Sequence, residues 1–161
     1  MTREVASLVK KANLCLPGDV ISVLNKARKA ETSPTGAAIL DILAQNAAMA
    51  RQSGVPICQD TGIDVVFLEI GQDLVMEGDL IAAVNEGVAR GTKEGYLRSS
   101  VCDPITRKNS GDNTPAVVHT SVVPGDTFTI TLLPKGCGSE NMSGLRMLPP
   151  SAGMDGIKDF V

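Results

Sequence analysis

Three short segments concentrate the side chains that can do chemistry. In Pro56-Ile57-Cys58-Gln59-Asp60-Thr61-Gly62 a thiol, an amide, a carboxylate and a hydroxyl follow one another directly before a β-branched apolar run. Loops of this kind present reactive groups from a rigid support. A second segment, Lys135-Gly136-Cys137-Gly138-Ser139-Glu140-Asn141-Met142-Ser143, follows another such run. Its glycine-rich backbone can offer amide donors to an anion, and a cysteine between two glycines leaves room for a bulky inorganic group. Between the two, Lys108-Asn109-Ser110-Gly111-Asp112-Asn113-Thr114-Pro115 is a polar turn that leads to the only histidine, His119.

Taken singly, each feature has an ordinary alternative. Cys58 and Cys137 lack the information of a short CxxC pair, and scattered cysteines of an intracellular domain often serve as small buried hydrophobes. His119 sits in an apolar run and reads equally as a core residue or as an acid, base or orienting donor. Arg98 and Arg107 read as solvated surface charges, Lys135 as a strand-end cap, and Asp60, Asp112 and Glu140 as turn and cap residues.

The elements that must position these segments follow from periodicity. Apolar residues at Val5, Leu8 and Ala12 predict a first helix, stopped by Pro17. Asp19 caps a second through Val20, Leu24 and Ala27. A third follows Ser33-Pro34, with a broad apolar stripe that ends near Ser53-Gly54. These helices carry no clustered functional groups and read as scaffold and oligomer contact surface. After Pro56 the period becomes that of a strand at Asp64–Ile70. Gly78-Asp79 then opens a helix towards Tyr96-Leu97-Arg98, and its Gly87, Gly91 and Gly95 weaken it by about 1 kcal/mol each relative to Ala. Close packing or ligand approach would account for them. Two more strands, Ala116–Val122 and Thr127–Leu133, are joined across Pro124-Gly125-Asp126. The fold class is α+β: a helical N-terminal part, 1–54, then a small β-sheet with packed helices, 55–161.

Composition sets outer limits. With 161 residues, 43% of them hydrophobic, the chain can bury one sizeable core, which implies one domain or one and a half. A formal net charge of -3 supplies no positive field for phosphate backbones or anionic membranes, and one Tyr, three Phe and no Trp serve base stacking poorly. Nucleic acid and membrane are therefore not expected partners. No secretory signal or long apolar span can be read, so the expected compartment is the cytoplasm, where Cys15, Cys58, Cys102 and Cys137 stay thiols.

Together the motifs are more specific. Pro-Ile-Cys-Gln-Asp-Thr-Gly at 56–62, Gly-Asp-Asn-Thr-Pro-Ala at 111–116 and Gly-Ser-Glu-Asn-Met-Ser at 138–143 resemble, in order and separation, the α-type region of iron–sulfur fumarases and tartrate dehydratases. The resemblance runs from the N-terminal helices to Phe160. It implies reversible hydration of fumarate to malate, a tricarboxylic acid cycle step. The continuation after Cys58 and the Asp103-Pro104-Ile105-Thr106-Arg107-Lys108-Asn109 stretch favour fumarate; a tartrate dehydratase α subunit and a cluster-free subunit-interaction fragment are the alternatives.

The same resemblance implies a four-iron four-sulfur cluster on three cysteines, with one iron open as a Lewis acid. Cys58 falls at a ligand position, Gln59 and Asp60 face the substrate with Asp60 catalytic, and Arg98 matches an arginine that grips a substrate carboxylate. Gly111 and Asp112 fall at substrate-binding positions. Two departures stand out. Single-chain members carry the second cluster cysteine just before the Lys-Gly of this segment; here that place holds Leu132, and Cys137, just after it, becomes the expected second ligand. The third ligand comes from a later Cys-Pro-Pro segment that this chain lacks. The expected partners are a small dicarboxylic acid and a β-type subunit or C-terminal domain, in a homo- or hetero-oligomer. Since 154–161 begins an amphipathic helix and stops, the chain reads as truncated at its C-terminal end and inactive as an isolated fragment.

Overall fold

In the computed structural model, residues 1–136, 138 and 143–161 are described. Three helices lead the chain: α1 (Thr2–Leu14), α2 (Gly18–Ala30) and α3 (Pro34–Ser53). The Ser33 side chain accepts from the Gly36 amide at the start of α3, Pro34 occupies its first turn, and Gly54 ends it in the left-handed conformation with φ 67°. There follow β1 (Ile63–Gly71), α4 (Leu80–Glu94), β2 (Val117–Val123), β3 (Phe128–Lys135), a short 3-10 turn at Pro150–Ala152 and α5 (Gly153–Phe160).

The Asp79 carboxylate caps α4 by accepting from the Ala82 amide at 2.9 Å. The helix stops three residues short of Leu97. The Leu97 amide reaches back to Thr92 O at 2.9 Å while Tyr96 turns to φ 52°, so the chain leaves α4 with Arg98 already outside it.

The three strands form a mixed sheet in the order β2-β1-β3, consistent with the α+β class. β2 runs parallel to β1 with Phe67 beside His119, and β3 runs antiparallel with Ile63 beside Lys135. The turn at Pro124–Asp126 does not close a hairpin; it passes over the end of β1. Gly71 donates to Thr127 O at 2.7 Å, Gln72 to Val123 O at 2.8 Å and Asp73 to Gly125 O at 3.0 Å. A Cβ at position 71 would collide with the Gly125 carbonyl, so the crossing needs glycine there.

One face of the sheet carries the core. Val66 and Leu68 of β1 meet Val5 and Val9 of α1 and Val84 and Val88 of α4, all 0–1% exposed. The glycines of α4 make this possible: a Cβ at Gly87 would lie 2.6 Å from Val5 Cβ, and one at Gly91 would lie 2.7 Å from Val9 Cβ. They form a groove for the valines of α1. On the other face Phe67 stacks on His119 with ring centroids 5.1 Å apart. Among the described residues no helix is long and apolar enough to cross a membrane.

Candidate functional site

The loop before β1 is fixed by its backbone and leaves its chemistry outward. The Ile57 amide donates to Asn13 O at 3.0 Å, and Asn46 Nδ2 donates to Ile57 O at 2.8 Å, so the loop is stapled to α1 and α3. Cys58 and Gln59 beyond it are exposed, Asp60 is half-buried, and Thr61 and Gly62 are buried. Gly62 has φ 71°, and a Cβ on it would collide with Lys135 O. No other residue satisfies both conditions. At Gly136 a Cβ would stand 3.1 Å from Asp60 Oδ2. The Cys58 loop therefore lies against Lys135-Gly136, the stretch immediately before Cys137. Cys137 itself, with Ser139, Glu140, Asn141 and Met142, lies outside the described residues.

Arg98 joins the same end of β1. Thr61 Oγ1 donates to its carbonyl at 3.0 Å, and its side chain is exposed. The segment that follows is held by a residue to which the sequence assigned no role, Asn113. Its Oδ1 accepts from the Ser100 amide at 2.8 Å and the Val101 amide at 3.2 Å. Its Nδ2 donates to Gly62 O at 3.1 Å and to Asp64 Oδ2 at 3.0 Å. Asn113 is 3% exposed and takes φ 65°, a conformation asparagine tolerates better than most residues.

Asp64 is the second residue that motif reading passed over. It is 2% exposed, and its Oδ1 has no hydrogen-bond partner. Burial pushes its carboxyl up to about 6, against the lowering effect of the Asn113 hydrogen bond. A signal was present in the sequence: Asp64, Val66 and Leu68 share one face of a strand, so strict alternation turns this carboxylate towards the core.

The turn at 109–114 is internally braced. Asp112 accepts from Thr114 Oγ1 at 2.7 Å and from the Thr114 amide at 3.0 Å, and these bonds hold its carboxyl below the usual range. Gly111 donates to Asn109 Oδ1 at 2.7 Å. Both lie beside Ser99, whose hydroxyl accepts from the Asn113 amide at 2.9 Å.

Cys58, Gln59, Asp60, Arg98, Gly111 and Asp112 thus come from segments that the structure ties to one another at the Ile63 end of β1. Other candidates lie elsewhere. His119 stacks on Phe67 on the sheet face away from the helices, Cys102 sits in an isolated bridge with Asn109, and Cys15 caps α1. Arg107 occupies an exposed loop at φ 60°. Cys15, Cys58 and Cys102 form no disulfide, and among the described residues no three His, Cys, Asp or Glu side chains gather into a metal site.

Comparison with known proteins bears on this geometry. The family model described as fumarate hydratase (Fumerase) matches residues 2–161. A protein named "Putative L(+)-tartrate dehydratase subunit alpha" from Methanocaldococcus jannaschii is 39% identical over 166 residues, covering 98% of this chain and 58% of that protein. The L(+)-tartrate dehydratase subunit alpha of Escherichia coli strain UTI89 is 30% identical over 165 residues, covering 100% of this chain and 54% of that protein. Its counterpart in strain K12 is 28% identical over the same span. The chain spans little more than half the length of these relatives.

Proposed function

The chain belongs to the fumarate hydratase family, and from that premise we propose that it supplies the α part of an iron–sulfur hydro-lyase that reversibly hydrates fumarate to malate. The observation that supports this reading most is the convergence of the Cys58-Gln59-Asp60 loop, the Lys135-Gly136 stretch and the Arg98 segment at one end of β1. A second reading, dehydration of tartrate, is favoured by the names of the relatives above.

Cys58 suits a cluster ligand by its own chemistry: it is exposed, unbridged, and carried on a loop that faces a glycine. Cys137 is the second ligand in this proposal, and the third comes from outside the chain. A four-iron four-sulfur cluster, when bound, supplies a Lewis-acidic iron for the hydroxyl of the substrate. Arg98 grips a substrate carboxylate through two parallel hydrogen bonds. Gln59 and Asp60 face the substrate, with Asp60 as a catalytic residue. Gly111 and Asp112 border the same substrate space. The substrate is a small dicarboxylic acid, the partner a β-type subunit or domain within an oligomer, and the compartment the cytoplasm.

Assay of the full-length enzyme with its companion subunit against fumarate and tartrate separates the two readings. Brown colour and broad visible absorbance after anaerobic reconstitution, lost in Cys58→Ala, support the cluster; a colourless wild type removes it. Arg98→Lys keeps the charge but loses the paired donor geometry, so KM should rise about tenfold or more. Unchanged kinetics would return Arg98 to the surface. Residues 1–161 alone should show no hydration above a Cys58→Ala control.

A further inference from the structure

We infer that Asn113, held by Asp64, is a positioning residue that sets the distance between the Arg98 segment and the Gln59–Asp60 loop. This rests on the hydro-lyase reading for its functional consequence, but its basis is geometric. One amide side chain spends all four of its hydrogen bonds on two segments that nothing in the sequence joins. Oδ1 gathers the Ser100 and Val101 amides, which follow Arg98, while Nδ2 holds Gly62 O and Asp64 Oδ2, which follow Asp60. A second link runs parallel to it, from Thr61 Oγ1 to Arg98 O.

Asp64 is costly where it stands. A buried carboxylate with one hydrogen bond and one unpartnered oxygen loses more in desolvation than it recovers. Its neighbours on the same strand face, Val66 and Leu68, show what this position would hold if packing alone decided. Its visible contact is with Asn113 Nδ2, and that contact fixes which way the amide faces. With Oδ1 and Nδ2 exchanged, two amides would confront a donor and a carboxylate would confront an acceptor. Asp64 therefore acts through Asn113, and Asn113 acts through backbone, on two side chains that both meet substrate in the proposed reaction. A misplacement of about an ångström between such groups weakens their joint hold on one small substrate.

The test uses the full-length enzyme with its companion subunit. Asn113→Asp keeps the two acceptor bonds and the tolerance for positive φ but sets a carboxyl oxygen against Gly62 O and Asp64 Oδ2 in place of Nδ2, leaving the Thr61 link to hold the Arg98 segment to this end of β1. KM for the dicarboxylate should rise about tenfold while kcat changes less than about threefold. D64N/N113D restores one of the lost bonds with donor and acceptor reversed and should recover a large part of that rise. Should N113D fail to fold, Thr61→Val, which cuts the parallel link, carries the test with the same KM signature. A KM within about twofold of wild type in the folded variants overturns the inference. Amide exchange provides a readout independent of turnover: the 98–101 segment should exchange about tenfold faster in N113D and T61V, with α1 and α4 unchanged. A wild type that turns over neither fumarate nor tartrate sinks the hydro-lyase reading, and the exchange experiment then decides the clamp alone, unchanged rates overturning it.

Discussion

Helices α1 and α2 are both 13 residues long and both amphipathic, yet α1 buries Val5, Ala6, Val9 and Asn13 while α2 buries nothing. The difference lies in what each meets. α1 lies in a groove that Gly87 and Gly91 open along α4, so backbone approaches side chain and the valines are sealed against the sheet. α2 packs mainly on α3, through an ion pair between Arg28 Nε and Asp41 Oδ1 at 2.6 Å and the walls of a cavity of about 530 Å³ lined by Ile21, Leu24, Ala44 and Ala47. Val23, Ile42 and Met49 on this hairpin remain 62–63% exposed. An apolar stripe makes a helix amphipathic; burial also needs a surface of matching shape.

The sharpest way to break this contrast is Gly87→Val. Its Cβ would arrive 2.6 Å from Val5 Cβ and 2.8 Å from Thr2 O, and the second of these is backbone and cannot rotate away. We expect a loss of about 3 kcal/mol in denaturant unfolding, since overpacking outweighs the few tenths gained in helix propensity. A loss below about 1 kcal/mol would mean that the seam is as loose as the hairpin.

The contrast also explains what could be read in advance. Element positions were legible because period alone fixes them: a strand expected at 64–70 spans Ile63–Gly71, and a helix expected after Ser33-Pro34 spans Pro34–Ser53. Partners were not. Nothing local in Pro124-Gly125-Asp126 reveals that β1 lies between the two strands it joins, because the obstacle, Gly71, is over 50 residues away. The glycines of α4 announced close packing or ligand approach without saying which, and only α1 decides for packing at Gly87 and Gly91. Cys58, Gln59 and Asp60 could be picked out as candidates because they accumulate in one loop. Asn113 did not, since its importance rests on bonds to Gly62 and Asp64, 51 and 49 residues away. Motif reading finds reactive groups clustered in sequence more readily than groups that bond to each other across the fold.

Asp64→Asn tests the buried carboxylate in the well-sealed half. Its carboxyl titrates near 6 in the folded chain against about 3.9 when unfolded, so the folded state binds the proton more tightly. The stabilisation this provides is fully present below about pH 4 and is lost as pH rises through about 6. Other carboxylates are common to both proteins and cancel in the comparison. Between about pH 5 and about pH 7.5, the stability difference should therefore move in favour of D64N by about 1–1.5 kcal/mol. A difference that does not change with pH would place Asp64 in contact with water and weaken the picture of a closed core at this end of β1.

The smallest effect belongs to the open half, and it is the most informative about it. Ile42 lies on α3 with 62% of its surface exposed, and Ile and Ser differ little in helix propensity. If the hairpin face is as uncovered in solution as it is in this chain, Ile42→Ser removes no packing and unfolding should shift by no more than about 0.5 kcal/mol. A loss above about 1.5 kcal/mol would require that something covers the residue, because an exposed isoleucine has little burial to lose. Concentration then separates the sources. Cover by a second copy makes the midpoint of thermal unfolding rise with protein concentration, by mass action, and makes the I42S effect vanish on dilution. Cover from within the chain leaves both independent of concentration, and the contrast between α1 and α2 would then reduce to a difference in which partner arrives first.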